Sequence, residues 1–422
     1  MKQFVIAGNS AAGISAVEAI RTKDKESKII VISDEDYPSY CRCLISYYLA
    51  GEVGEDKLLY RPENFYKDYN IELILNKKVL RVDPKKNRVI LEDKTQLNFD
   101  YLLIATGASP KFPDIAGIKK RGVFGFRTIK DVKDIEKILP YTKTACVLGG
   151  GLIGLKVAYA LHRRNIETKI IIKSRQVLSQ ILDFEAARFV QKKLEENGIE
   201  IIFGQDAVEI IGDGDTKAIK LESGKIIGCS LVIVGKGIIP NIDLVKETNI
   251  KFNEGIISNE YMQTNIPNIY TAGDVCESFD ITLGTYAINA LWPVAIEQGK
   301  VAGLNMAGES FKYEGSLGMN SLEFFGLAVV SLGMYRIKEN DTSFEELKIC
   351  DEKRNIYKKL ILKNNLLVGG ILIGDIRNSG LYLRLIKEKV DVSAIKEKLL
   401  AENFSYPVIK DLLKKEKEKI YV

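Results

Sequence analysis

The sequence predicts an α/β fold built on two strand–glycine turn–helix units, and three observations predict it. An apolar strand runs into a glycine turn at the N-terminus, a second does so near residue 150, and each turn opens a helix with apolar residues at helical spacing. The opening stretch K-Q-F-V-I-A-G-N-S-A-A-G-I-S-A-V-E-A-I (2–20) supplies Gly8 and Gly13 of a G-x-G-x-x-G pattern, with Ser10 at its middle position; Ile14, Val17 and Ile20 follow at helical spacing. Glycines allow a tight turn and close helix–strand approach, and the helix N-terminus offers free N–H groups and a positive dipole end to a pyrophosphate. A second strand, Ile29 to Ile32, runs into Ser33-Asp34-Glu35, where Asp34 or Glu35 can accept from ribose hydroxyls although Ser33 holds the most usual acidic position. Residues 145–158, A-C-V-L-G-G-G-L-I-G-L-K-V-A, give a complete pattern at Gly149, Gly151 and Gly154. Between the two lies the apolar strand D-Y-L-L-I-A-T-G-A (100–108), and further on T-N-I-P-N-I-Y-T-A-G-D-V (264–275) delivers Gly273 and Asp274 to a loop.

Composition bounds the rest. A chain of 422 residues with 46% hydrophobic and 28% charged residues is long enough for several folded domains and too apolar for disorder. No run reaches the ~18 apolar residues of a membrane span, and Met1-Lys2-Gln3 leads into a strand without signal-peptide architecture, so the cytoplasm is the expected location and no membrane partner is expected. The six cysteines, 41, 43, 146, 229, 276 and 350, are too scattered for a disulfide framework and read as reduced thiols. Lys+Arg 61 against Asp+Glu 56 is a mild basic excess, suited to an acidic protein or a phosphorylated cofactor and not to nucleic acid. The single histidine, His162, excludes multi-histidine metal sites, so no metal site is expected; in H-R-R on a helix it reads as a solvated surface residue.

These motifs, in this order over residues 1 to about 311, resemble the FAD/NAD(P)-dependent pyridine nucleotide-disulfide oxidoreductase superfamily. The resemblance implies two Rossmann-like dinucleotide-binding domains, with the NAD(P) domain inserted in the FAD domain, plus a C-terminal α+β interface domain. Residues 1–112 and 241–311 would bind FAD, 113–240 would bind NAD(P), and 312–422 would form the third domain. It further implies that Gly8, Ser10, Ala12 and Gly13 line the FAD pyrophosphate, that Thr106 and Gly107 lie near the cofactor, that Asp274 binds the ribityl–phosphate region, and that Gly149, Gly151 and Gly154 hold NAD(P). Gly235-Lys236-Gly237 with Pro240-Asn241 matches the return to the FAD domain.

Within the superfamily, Y-C-R-C-L-I-S-Y-Y-L-A-G (40–51) resembles a segment of rubredoxin, ferredoxin and nitrite-type reductases whose arginine, here Arg42, contacts FAD; the lysine these relatives carry after the serine is Tyr47 here. L-W-P-V-A-I-E-Q-G-K-V-A-G-L-N-M-A-G (291–308) resembles their flavin-side helix, which implies that Trp292 lies near the isoalloxazine; the competing reading is a core aromatic. Y-K-K-L-I-L-K-N-N-L-L-V-G-G-I-L-I-G-D (357–375) reads as paired strands joined at Asn364-Asn365, similar to the third domain of the NAD(P)H nitrite reductase large subunit; the further iron–sulfur and sirohaem domains of that subunit are absent from this sequence. The terminal K-K-E-K-E-K run reads as a solvated helix face or frayed end.

Neither dithiol spacing of the superfamily occurs. Cys43 falls where single-cysteine coenzyme A-disulfide reductases, persulfide reductases and water-forming oxidases carry their redox thiol; the alternative is a small residue without redox function. Cys41 is not expected to pair with it, because next-but-one side chains point apart in an extended segment, and Cys276, Cys146, Cys229 and Cys350 read as buried. Lys156 stands where the family places a glutamate near nicotinamide and flavin, so a cation there favours the anionic reduced flavin; otherwise it faces solvent. At the end of the NAD(P) domain's second strand the chain reads K-I-I-I-K-S-R-Q, with Ile172 in the acidic position and Lys173, Ser174 and Arg175 beyond, which suits the 2′-phosphate of NADPH.

The expected activity is FAD-dependent NAD(P)H oxidation, with Lys156 and Trp292 at the flavin and electrons leaving to, or arriving from, an iron–sulfur, ferredoxin- or rubredoxin-like carrier protein. The assembly expected is a homodimer or a subunit of a redox complex. Two rivals stand beside it: a coenzyme A-disulfide or persulfide reductase or NAD(P)H oxidase in which Cys43 is catalytic, and a flavin-bound redox sensor without enzymatic turnover.

Overall fold

The computed structural model describes residues 1–338 and 341–420. Its first layer is a five-stranded parallel sheet in the order Ile269–Thr271, Tyr101–Ile104, Gln3–Ala7, Lys28–Ile32, Ile71–Ile74. The central strand is apolar on both faces because both are covered. Phe4 and Ile6 face helix α1 (Ala11–Lys23), while Val5 and Ala7 face a second core containing Val82, Val89 and Leu244. The short helices α2 (Ile45–Leu49) and α3 (Phe65–Asp68) follow. The second layer repeats the plan: Glu200–Phe203, Glu167–Ile172, Thr144–Leu148, Leu231–Val234 and Val123–Phe124 form a parallel sheet. Around it pack α4 (Ile129–Ile138), which opens on a Thr128/Asp131 capping box, α5 (Leu152–Arg163) and α6 (Phe184–Glu196).

Helix α7 (Trp292–Met306) returns to the first layer and crosses α1 at backbone contact. A Cβ on Gly299 would lie 2.1 Å from the Ala12 carbonyl oxygen, and one on Gly303 would lie 2.4 Å from that of Ala16, so glycine is what the crossing requires. Beyond it, five antiparallel strands pair in the order Met319–Phe324, Leu327–Gly333, Leu366–Ile373, Ile356–Lys363, Phe344–Asp351. The expected hairpin is present: Asn364 and Asn365 take φ of 51° and 62°, the mirror-turn conformation that asparagine tolerates. One face of this sheet packs on α8 (Ser379–Lys387) and α9 (Tyr406–Ile420) through Leu360, Leu372, Tyr382 and Ile409. Its other face joins the second layer's core through Phe324, Tyr357, Ile371 and Ile373. The side chains of the K-K-E-K-E-K run lie outside the described residues.

Two sequence expectations need correcting here. Cys146, Cys229 and Cys276 are buried, but Cys350 is exposed, because its strand is the sheet edge. His162 is not a freely solvated residue: it is half-buried, and its ring stands edge-on to Phe325 at 5.5 Å. Among the described residues no helix is long and apolar enough to cross a membrane, and no cluster of His, Cys, Asp and Glu could hold a metal ion.

Candidate active site: two glycine turns and the groups between them

The first turn is held by contacts that exclude side chains. Gly8 donates to the Ile32 carbonyl at 2.9 Å and has φ +133°, and a Cβ there would lie 2.1 Å from the Ala105 carbonyl oxygen. A Cβ on Gly13 would lie 1.9 Å from the Gly8 carbonyl oxygen. Ser10 caps α1 with no side-chain cap bond, so its hydroxyl is left to accept from Arg42 Nε at 3.4 Å. The Gly273–Asp274 loop lands on the same helix end: Gly273 has φ +81°, its N–H donates to Gln298 at 2.8 Å, and a Cβ there would meet the Ala12 methyl at 3.3 Å.

Charged side chains ring this turn. Arg42 pairs with Glu35 and donates to the Tyr40 hydroxyl at 3.1 Å and to the Arg127 carbonyl at 3.0 Å; the Tyr40 hydroxyl donates in turn to Glu35 at 2.6 Å. Glu35 is therefore engaged within the protein, whereas Asp34 is exposed beside the strand end. Asp274 is paired with Arg127, and Gly107 lies under that guanidinium. Arg127 was missed in the sequence; its only signal is a position just before the T-x-x-D capping box of α4. Thr106 ties the end of its strand to the return segment at Asn241: its hydroxyl donates to the Asn241 carbonyl at 2.9 Å, and Asn241 Nδ2 donates to the Thr106 carbonyl at 2.8 Å. Trp292 opens α7, half-buried, with its indole edge-on to Tyr60 at 5.0 Å.

The segment carrying the cysteines is not extended. Residues Arg42–Leu44 form a single 3-10 turn, which brings the Cys41 and Cys43 thiols together instead of pointing them apart. The Cys43 thiol, set against Cys41, draws the Cys41 pKa down to about 6; Cys43 itself is pushed up, first by that contact and then by the nearby Asp274 carboxylate. Cys43 is exposed and Cys41 half-buried.

The second turn repeats the first. Gly149 donates to the Ile171 carbonyl at 2.9 Å, and Cβ atoms on Gly149 and Gly154 would lie 2.4 and 2.1 Å from the carbonyl oxygens of Gly235 and Gly149. Gly151, the cap of α5, has no atom within 4 Å of an added Cβ, so the helix N-terminus faces open space. Lys156, one turn into α5, does not face solvent: its Nζ donates to the Tyr47 hydroxyl at 3.0 Å and to the Glu323 carbonyl at 3.4 Å, and lies over the Tyr47 and Phe324 rings. Lys173 is not a free cation either, because both carboxylate oxygens of Glu222 face its Nζ, one at 2.5 Å. Arg175 is exposed and, among the described residues, has no ion-pair partner.

Residues 2–299 match the pyridine nucleotide-disulphide oxidoreductase family model. The chain belongs to that family. Residues 319–390 match the rubredoxin NAD+ reductase C-terminal domain, so the five-stranded sheet and α8 carry a second signature. The chain is 32% identical over 413 residues to an assimilatory nitrate reductase electron transfer subunit of Bacillus subtilis (strain 168), covering 97% of this chain and 52% of that protein; it thus spans about half of that relative's length. It is 36% identical over 318 residues to an NADH oxidase of Methanocaldococcus jannaschii, covering 73% of this chain and 71% of that one. Among solved structures, a NAD-dependent persulfide reductase from A. fulgidus superposes with TM-score 0.87 at 25% identity, covering 99% of this chain and 83% of that chain. The family is one of oxidoreductases that use FAD and a nicotinamide nucleotide, and the two turns fit those groups: each is a backbone cradle that a Cβ would fill, at the mouth of a helix.

Proposed function

We propose that the chain is an FAD-dependent NAD(P)H oxidoreductase that exchanges electrons with an iron–sulfur or rubredoxin-type carrier protein, as a component of a redox complex. The observation that carries the reading is the pair of matching glycine cradles, continued by a third unit of the rubredoxin-reductase type. Bound FAD supplies the two-electron to one-electron conversion. Gly8, Ser10, Ala12 and Gly13 would present the α1 N-terminus to its pyrophosphate, Asp34 would accept from a ribose hydroxyl, and Arg42, Thr106, Gly107, Gly273 and Asp274 would hold the remainder. Gly149, Gly151 and Gly154 do the same for the nicotinamide nucleotide. Trp292 is the aromatic surface offered to the carrier. The direct test is to load the protein with FAD, measure about one flavin per chain, reduce it with nicotinamide nucleotide, and screen ferredoxin, rubredoxin, coenzyme A disulfide, polysulfide and oxygen as acceptors. A protein that binds no FAD sinks the reading.

A specific observation favours the second reading, a thiol-dependent reductase or oxidase: Cys43 is exposed and lies beside Asp274 and Cys41. One substitution separates the two. Under the main reading Cys43→Ser reduces a carrier protein at nearly the wild-type rate. Under the second it loses disulfide, persulfide or oxygen turnover and keeps its reaction with NAD(P)H, because the nucleophile acts after hydride transfer.

Lys156 ties α5 to Tyr47 of α2, in the segment that carries Arg42 and Cys43, which supports its role as a fixed cation near the flavin. Replacing it with glutamine is expected to lower the two-electron midpoint potential of bound flavin by about 30 mV, one tenfold change in equilibrium. Spectroelectrochemical titration reads this directly; an unmoved potential places the ammonium too far away to act.

A further inference from the structure

We infer that Glu222 decides between the two nicotinamide dinucleotides, and that in this chain it selects NAD(H) over NADP(H). The inference rests on reading the second glycine turn as the nicotinamide-nucleotide site. In that arrangement the adenosine ribose lies at the end of the strand after the glycine helix, where a carboxylate accepts from the 2′-hydroxyl or cations take a 2′-phosphate. That strand, Glu167–Ile172, ends without a carboxylate. The Ile172 side chain is folded onto the glycine turn instead, so close that a Cβ on Gly150 would lie 2.3 Å from its Cδ1.

Glu222 brings a carboxylate to this place from a different part of the chain. It sits in the turn after the strand Ala218–Leu221, and three hydrogen bonds, two of them backbone to backbone, fix that turn beside the strand end. The Gln205 N–H donates to the Ile172 carbonyl at 3.3 Å, the Gln205 side chain accepts from the Ser223 N–H at 3.0 Å, and the Glu222 N–H donates to the Asp206 carbonyl at 3.0 Å. Asp206 is itself anchored by Lys236 Nζ at 2.6 and 2.5 Å, next to the Gly235 carbonyl that closes the glycine turn. The Glu222 side chain is thus aimed at the strand end by neighbours on both sides, and there it takes Lys173.

The pair changes what the basic trio can do. A carboxylate has lone pairs for about four donors, so Glu222 can hold the Lys173 ammonium and still accept from a ribose hydroxyl. A 2′-phosphate meets the opposite situation: the nearest ammonium is already neutralised and the neutralising group repels the incoming anion. Ser174 is engaged as a donor to the Gln176 carbonyl at 2.8 Å, which leaves Arg175 to compensate alone. The choice expected from Lys173, Ser174 and Arg175 by themselves, NADPH, is thereby reversed. The pair is open to solvent, with Lys173 side-chain exposure at 62%, so it holds selectivity without contributing much stability.

The test uses the FAD-loaded protein and the oxidised nucleotides NAD+ and NADP+, neither of which can deliver a hydride, with affinities read by isothermal titration calorimetry. Wild type should bind NAD+ about tenfold or more tighter than NADP+. Glu222→Gln should tighten NADP+ binding about tenfold while moving NAD+ by less than about threefold, since the amide oxygen still accepts from a hydroxyl; retained NAD+ affinity also shows that the variant is folded. Adding Lys173→Gln to Glu222→Gln should remove the gain, because the freed ammonium is what meets the phosphate. A wild type that prefers NADP+, or a Glu222→Gln variant with unchanged NADP+ affinity while NAD+ still binds, overturns the inference and leaves the nucleotide site standing. Failure of wild type to bind either nucleotide overturns both.

Discussion

Gly13→Ala is expected to yield a protein that no longer retains FAD. The added methyl would lie 1.9 Å from the Gly8 carbonyl oxygen, which is backbone, so no flexible side chain can yield. Helix α1 must then withdraw from the central strand, and the N–H groups at its start leave the position in which they meet a pyrophosphate. Overpacking of this kind costs about 1–3 kcal/mol in stability, and misplacing the cradle adds a loss of affinity. Flavin absorbance of the purified variant, together with its thermal midpoint, checks both. Gly380→Ala is the matched control: it lies inside α8 with no atom within 4 Å of an added Cβ, and alanine there should be neutral or stabilising. A fully yellow Gly13→Ala protein would mean that this turn does not cradle the cofactor.

The second large effect is expected at Asp183, where the third unit meets the second layer. Asp183 caps α6 through the Ala186 N–H at 2.8 Å, accepts from the Tyr357 hydroxyl at 2.7 Å and pairs with Lys359 at 2.6 Å. Lys359 is only 5% exposed, with the more exposed Glu346 as its other partner. Removing one member of a buried pair costs about 3–5 kcal/mol when the other charge is left uncompensated, and Glu346 at 3.3 Å from Lys359 offsets part of that here. Asp183→Asn isolates this effect, because asparagine keeps the cap. Denaturant unfolding and limited proteolysis should show residues 319–420 loosening first. The same pair sets an acid limit. Burial alone would raise the Asp183 pKa, but the Lys359 ammonium, the Ala186 N–H and the Tyr357 hydroxyl outweigh it and hold it below the usual carboxylate value. Its contribution is therefore complete above the ordinary aspartate pKa of about 4 and is lost as pH falls through the lower folded value. Wild type should lose this docking in acid below that range, and Asp183→Asn should show no such titration. Identical acid profiles would show that other carboxylates govern it.

Local signals made much of this legible. Gly8, Gly13, Gly149 and Gly154 carry their geometry in their spacing, because a turn between strand and helix is a short-range event, and Asn364-Asn365 announces its hairpin for the same reason. The partners of the charged residues were not legible. Arg127–Asp274, Lys173–Glu222 and Asp183–Lys359 join residues on separate elements, and nothing in the neighbourhood of one member names the other. Cys41 and Cys43 failed differently: alternation holds for an extended segment, and a single 3-10 turn abolishes it. Lys156 stands out in the sequence only as a departure from the family's glutamate, and the residues that turn it away from solvent, Tyr47 and Phe324, come from two other parts of the chain.

Helix α5 carries three attachments along one length. Its N-terminus caps the second glycine turn, Lys156 reaches Tyr47 of α2 one turn later, and Tyr159 and His162 carry the Phe325 ring of the third unit at 4.9 and 5.5 Å. A helix is stiff over twelve residues, so these attachments turn together, as on a common axle. A displacement of this helix would therefore carry the turn between the strands Met319–Phe324 and Leu327–Gly333 with it, because the Phe325 ring is held against two of its side chains.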